Sequence, residues 1–121
     1  MSGDVTGLSA VTLTTRDMSA ALRFYRDTLR LQVVHGGDDA RLTSLAAGAG
    51  FVNVVRSDAP MHGFWGRVIL YVDDVDAAFA RVVAAGYRVD GEPADAVWGE
   101  RYVHVYDADG HEISLAKPTG R

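Results

Sequence analysis

The sequence predicts an α+β fold built from two copies of one unit, a strand, a helix and then three strands. Three observations predict it. The stretch Arg67-Val68-Ile69-Leu70-Tyr71-Val72-Asp73-Asp74-Val75-Asp76-Ala77-Ala78-Phe79 reads as a buried strand, an acidic helix cap and a first helical turn. Ala10-Val11-Thr12-Leu13-Thr14-Thr15-Arg16-Asp17-Met18-Ser19-Ala20-Ala21-Leu22 has the same plan 57 residues earlier, with Val11, Leu13, Asp17 and Ala20-Ala21 matching Val68, Leu70, Asp74 and Ala77-Ala78. A repeat near half the chain length indicates duplication. Finally, each helical stretch is followed by short period-two runs separated by turn signals such as Gly36-Gly37-Asp38-Asp39, Gly48-Ala49-Gly50 and Asp107-Ala108-Asp109-Gly110.

Composition bounds the function. A chain of 121 residues with 48% hydrophobic residues makes one domain with a normal core. The expected modules run over residues 7–57 and 66–118. There is no run of roughly 18 apolar residues, and the first residues lack a basic segment followed by an apolar one, so a cytoplasmic protein with no membrane partner is expected. Zero cysteines excludes disulfides, thiolate metal sites and cysteine nucleophiles. A net charge of −4 with no basic cluster argues against nucleic acid.

Taken in order, residues 8–15 alternate apolar and small polar side chains, as a half-buried strand does. Asp17 caps a helix whose apolar stripe is Met18, Ala21, Leu22, Tyr25 and Leu29. Strands are predicted over residues 31–35, 41–46 and 51–56. Residues 57–66 form a loop carrying Met61, His62, Phe64 and Trp65. The second unit has a strand over 67–72, then a helix capped by Asp74 with the stripe Val75, Ala78, Phe79, Val82 and Val83, ended by Gly86. A short strand over 87–90, a loop over 91–97, and strands over 101–106 and 111–117 complete it.

The segments Val11-Thr12-Leu13, Arg16-Asp17-Met18, Phe24-Tyr25-Arg26-Asp27-Thr28-Leu29, Tyr71-Val72-Asp73-Asp74-Val75-Asp76, Trp98-Gly99-Glu100-Arg101 and Asp107-Ala108-Asp109-Gly110 span nearly the whole chain. As a set they resemble the vicinal oxygen chelate superfamily, which includes glyoxalase I, extradiol dioxygenases and the fosfomycin and bleomycin resistance proteins. The resemblance implies two βαβββ modules forming a curled mixed sheet around a concave cleft, with helices outside. It also implies a homodimer, and leaves open whether the modules pair within one chain or between two.

Enzymes of that superfamily hold a divalent cation on the concave face. At the positions where they place its ligands this chain has Ala10, Arg67, Ser114 and Asn53. Alanine cannot ligate, arginine keeps its proton, and serine and asparagine are weak neutral donors. His35, His62, His104 and His111 lie on different elements, with no two at ligand spacing. No catalytic metal and no other cofactor is expected.

Strand periodicity sorts the remaining side chains. Arg67, Ile69 and Tyr71 share a face, as do Ala10, Thr12 and Thr14, then Glu112, Ser114 and Ala116, then Tyr102, His104 and Tyr106, and then Phe51, Asn53 and Val55. The expected ligand site is therefore Phe51, Asn53, Phe64, Trp65, Arg67, Tyr71, Trp98, Tyr102, His104, Tyr106 and Ser114. Trp65 and Trp98 fit either a cleft mouth or a dimer interface. An aromatic groove without an activating metal points to sequestration of a planar aromatic natural product or antibiotic, as in the metal-free bleomycin resistance proteins. The alternative is a metal-free lyase or isomerase using His104 as base, Glu112 to orient it and Arg67 to hold an oxyanion.

Overall fold

In the computed structural model, which describes residues 2–59 and 63–120, the chain forms two four-stranded mixed sheets of identical topology. The first contains β1 (Ala10–Thr15), β2 (Gln32–His35), β3 (Leu42–Ala47) and β4 (Gly50–Arg56) in the order β1-β4-β3-β2. The second contains β5 (Arg67–Tyr71), β6 (Val89–Asp95), β7 (Glu100–Tyr106) and β8 (Glu112–Pro118) in the order β5-β8-β7-β6. In each, the first strand runs parallel to the last and the other pairs are antiparallel. The sheets are curled but not closed.

The helices follow from the repeated cap. Asp17 accepts a hydrogen bond from the amide of Ala20 at 3.1 Å, and Asp74 accepts one from Ala77 at 3.0 Å. Each carboxylate satisfies an amide that has no partner within its helix. Helix α1 (Met18–Leu22) continues as a π-helical segment (Arg23–Thr28) and α2 spans Val75–Ala84. Gly86 follows α2 at φ +87, the left-handed conformation expected where a helix ends.

Each helix packs on its own sheet, and Phe24 in the π-helical segment lies edge-on to Tyr87, just past the end of α2, with ring centroids 4.9 Å apart. The shared core takes alternate strand residues, Leu13, Leu45, Val52, Val54, Val68, Val103, Val105, Ile113 and Leu115. The π-helical winding adds Phe24 to the buried stripe, where an α-helical period favours Tyr25 alone. Val83 was expected on the stripe of α2 but is exposed, because Val75, Ala78 and Val82 already fill the contact with β6, β7 and β8.

Two further expectations change. The segment expected as a loop over 91–97 is mostly strand, since β6 reaches Asp95. Its pairing with β7 shifts register between Asp90 and Ala94, a bulge that absorbs Gly91 at φ +80 and Pro93 without ending the strand. The first strand begins at Ala10, two residues later than expected.

The sheets are also tied at a polar centre. The Tyr25 hydroxyl donates to Asp107 at 2.5 Å, and the other Asp107 oxygen accepts from the amides of Asp109 and His111. The His111 ring bonds the carbonyl of Thr14 at 2.8 Å through Nε2 and accepts from the Trp65 indole at 2.9 Å through Nδ1. This one histidine joins β1, the loop before β5 and the start of β8.

Candidate ligand-binding face

The helix-free face of the second sheet is built in rows by strand register. Arg67, Glu112 and Tyr106 form one row, Ile69, Ser114 and His104 the next, and Tyr71, Ala116 and Tyr102 the third. Ser114 and Ala116 are on this face yet buried, Ser114 only 3% exposed, because these short side chains lie on the central strand between taller neighbours. Ile69 at 60% and Tyr71 at 67% stand open.

The third row ends in an aromatic cluster. A tight turn, with the Ala96 amide bonded to the Glu100 carbonyl at 2.7 Å, brings Trp98 beside Glu100. The Trp98 indole donates to one Glu100 oxygen at 2.9 Å, and the Tyr71 hydroxyl donates to the other. Trp98 and Tyr102 lie tilted with centroids 5.4 Å apart, and Tyr102 is 5.2 Å from the His104 ring. Trp98 remains 63% exposed, so a flat molecule can reach its ring. The Glu100 carboxylate, through its hydrogen bond and its charge, raises the pKa of Tyr71. His104 Nδ1 is buried with no partner among the described residues.

The first row is electrostatically closed. Arg67 pairs with Glu112, whose other oxygen accepts from the Tyr106 hydroxyl at 3.1 Å. Burial pushes the Glu112 carboxyl up, but the hydrogen bonds from Arg67 and Tyr106 outweigh it and hold it below its usual range. Phe64 packs under Arg67, 5.5 Å from the guanidinium carbon, and Arg88 lies 3.7 Å above the Tyr106 ring. Phe64, Trp65, Arg88, Tyr106 and Glu112 line an adjacent cavity of about 430 Å³. Glu112 is thus hydrogen-bonded by Arg67 and Tyr106, and among the described residues no hydrogen bond joins it to His104.

On the first sheet, Phe51 is exposed, and Asn53 accepts from the Ser44 hydroxyl at 2.7 Å and donates to Thr12. The expected site residues therefore fall into two groups, Phe51 and Asn53 on one sheet and the rest on or beside the other. None of the five principal cavities among the described residues joins the two faces. Met61 and His62 lie outside the described residues. Glu100 and Arg88, not among the candidates expected from the sequence, contact the candidate residues Trp98, Tyr71 and Tyr106. The alternation that selects Tyr102, His104 and Tyr106 also selects Glu100, so its position was legible.

The positions corresponding to the family's ligands do not fit a divalent cation. Ala10 and Asn53 sit on one sheet, Arg67 and Ser114 on the other. Arg67 carries a positive charge, Asn53 already accepts from Ser44, and Ser114 is covered. Divalent ions of this kind need imidazole or carboxylate donors. Among the described residues no three histidine, cysteine, aspartate or glutamate side chains gather to hold a metal.

The family model described as the Glyoxalase/Bleomycin resistance protein/Dioxygenase superfamily matches residues 7–115. The chain belongs to this superfamily. It is 32% identical over 117 residues to the Mycobacterium bovis protein Mb0911c, covering 84% of this chain and 77% of that one. Among solved structures of the fold, FosX, a fosfomycin resistance protein from Listeria monocytogenes, superposes with a TM-score of 0.80 at 18% identity, covering 98% of this chain and 94% of that one. A lactoylglutathione lyase from Agrobacterium tumefaciens gives 0.73 at 24%, covering 93% and 94%. TioX from Micromonospora sp. ML1 gives 0.73 at 27%, covering 93% and 98%. A superfamily holding both a lyase and a resistance protein leaves the chemistry to be argued from the site.

Proposed function

We propose that this protein binds, without a metal, a planar aromatic molecule of natural-product or antibiotic type, and removes it from solution rather than transforming it. The single observation that carries the reading is the cluster of exposed Trp98 and Tyr71 with half-buried Tyr102 on a sheet face whose metal positions hold unsuitable donors. Tyr71 and Tyr102 on strands and Trp98 on a hydrogen-bonded turn offer large contact area at small entropic cost. The likeness in fold to a fosfomycin resistance protein accords with a protective role in the cytoplasm. A homodimer accords with the open face of each sheet, where Phe51 and Ile69 stand bare. In such a dimer one sheet's Phe51 and Asn53 can meet the other chain's aromatic cluster.

The test is quenching of tryptophan fluorescence by a panel of flat antibiotics, followed by mass analysis of the recovered ligand. Saturable quenching, loss of about thirtyfold in affinity in Trp98→Ala, and unchanged ligand are expected. A new product would overturn sequestration. It would favour a second reading, a metal-free lyase or isomerase, for which the buried Nδ1 of His104, without a partner among the described residues, is the specific observation. In that case His104→Ala abolishes turnover, whereas under sequestration it only trims affinity.

A further inference from the structure

The charges on the second sheet's face are distributed unevenly, and the unevenness selects a ligand class. At one end Arg67 and Glu112 neutralise each other. At the other, Glu100 is held by two neutral donors, the Trp98 indole and the Tyr71 hydroxyl. Among the described residues no arginine, lysine or histidine forms an ion pair with Glu100. Both its oxygens accept hydrogen bonds that fix the carboxylate between the Trp98 and Tyr71 side chains, and those donors bring no positive charge. The neighbouring row does not supply one either, since His104 lies beside Tyr102 with its Nδ1 buried.

We infer that this end of the face is a cation subsite, and that the flat molecule bound there carries a positive charge on or beside its ring system. The inference rests on the proposed ring-binding role and narrows it. A ring stacked on Trp98 places its own cationic nitrogen over the negative faces of Trp98 and Tyr102, within reach of the Glu100 carboxylate. Aromatic faces attract cations electrostatically, and the carboxylate adds a full negative charge at the same place. An anionic ring meets the opposite field, because the guanidinium that would welcome it is already committed to Glu112. The overall charge of −4 reinforces the preference by raising the local concentration of cations.

Three probes of one shape separate the outcomes: N-methylacridinium, a fixed cation; acridine, neutral in mildly alkaline buffer; and acridine-9-carboxylate, an anion. The cation is expected to bind about tenfold more tightly than acridine, and acridine more tightly than the anion. Glu100→Gln removes the charge while keeping an acceptor for the indole, and cuts the cation's advantage over acridine to the roughly threefold that the ring faces alone supply. Glu100→Asp restores part of the difference. A second measurement needs no variant: rising salt weakens the cation's binding and leaves acridine's nearly constant. Equal binding of all three probes to the wild type would overturn the cation subsite and leave ring binding standing. Tightest binding by the anion would do the same and transfer the selectivity to Arg67. Binding by none of them would overturn both.

Discussion

Replacing Tyr25 with phenylalanine removes one oxygen from the middle of the shared core. Tyr25 is buried and its hydroxyl gives Asp107 a hydrogen bond of 2.5 Å. Burial raises the Asp107 pKa; the bond from Tyr25, the neighbouring His111 and the backbone amides pull it down, and the balance leaves it raised. Losing a hydrogen bond to a charged, buried acceptor costs about 2 kcal/mol. Unfolding entropy near 2.1 cal/mol/K per residue makes that a fall in Tm of roughly 8 °C for a chain of this length. The pH dependence has a definite sign. Because the folded pKa of Asp107 lies above its unfolded value, its contribution is fully present below the unfolded pKa and is lost as pH rises through the folded one. The Tyr25 hydroxyl softens that loss by stabilising the ionised form. Tyr25→Phe therefore raises the folded pKa further, and its penalty is largest at neutral pH and shrinks in mild acid. Thermal unfolding of both proteins by circular dichroism, at neutral and acidic pH, checks this. A penalty that is flat with pH, or that grows in acid, refutes the assignment of Asp107 as an ionised acceptor.

Other consequences are simpler to state. Asp17→Ala and Asp74→Ala remove equivalent caps and should each cost about 1 kcal/mol, read as similar losses of Tm; an effect at one cap only would contradict their equivalence. Gly36→Ala should destabilise by about 2 kcal/mol or more in urea titration, because φ is +84 there and a Cβ would collide with the Leu42 carbonyl. Elemental analysis of purified protein should find no stoichiometric zinc, nickel or iron; one atom per chain would overturn the reading of the donor set. Arg101 holds Asp76 below the usual carboxylate range, so the stability this pair adds is present above the unfolded pKa of Asp76 and fades as pH falls through the folded value. Asp76→Asn should accordingly flatten the acid side of the stability curve.

The repeat made the fold legible. Matching caps at Asp17 and Asp74 set the two helices, and strict alternation in β5 and β7 separated Val68, Val103 and Val105 from Ile69, Tyr102 and His104. Alternation assigns a face but not a height, so the covering of Ser114 by its cross-strand neighbours could not be read from it. Period counting also fails where the winding changes, which is why Phe24 was missed beside Tyr25. The bulge in β6 was hidden because Gly91 and Pro93 carry the same signal as a loop. At the site, residue types were legible but partners were not: the ion pair of Arg67 with Glu112 and the two donors on Glu100 depend on which rows the register brings together.

The central claim is that the second sheet's bare face receives a flat aromatic molecule beside Trp98. The chain has two tryptophans, so its indole N–H groups give two separate signals in a nitrogen-correlated NMR spectrum. Titration with N-methylacridinium should move the Trp98 signal together with the amides of β7. A Trp98 signal that stays in place at saturating probe would contradict the account.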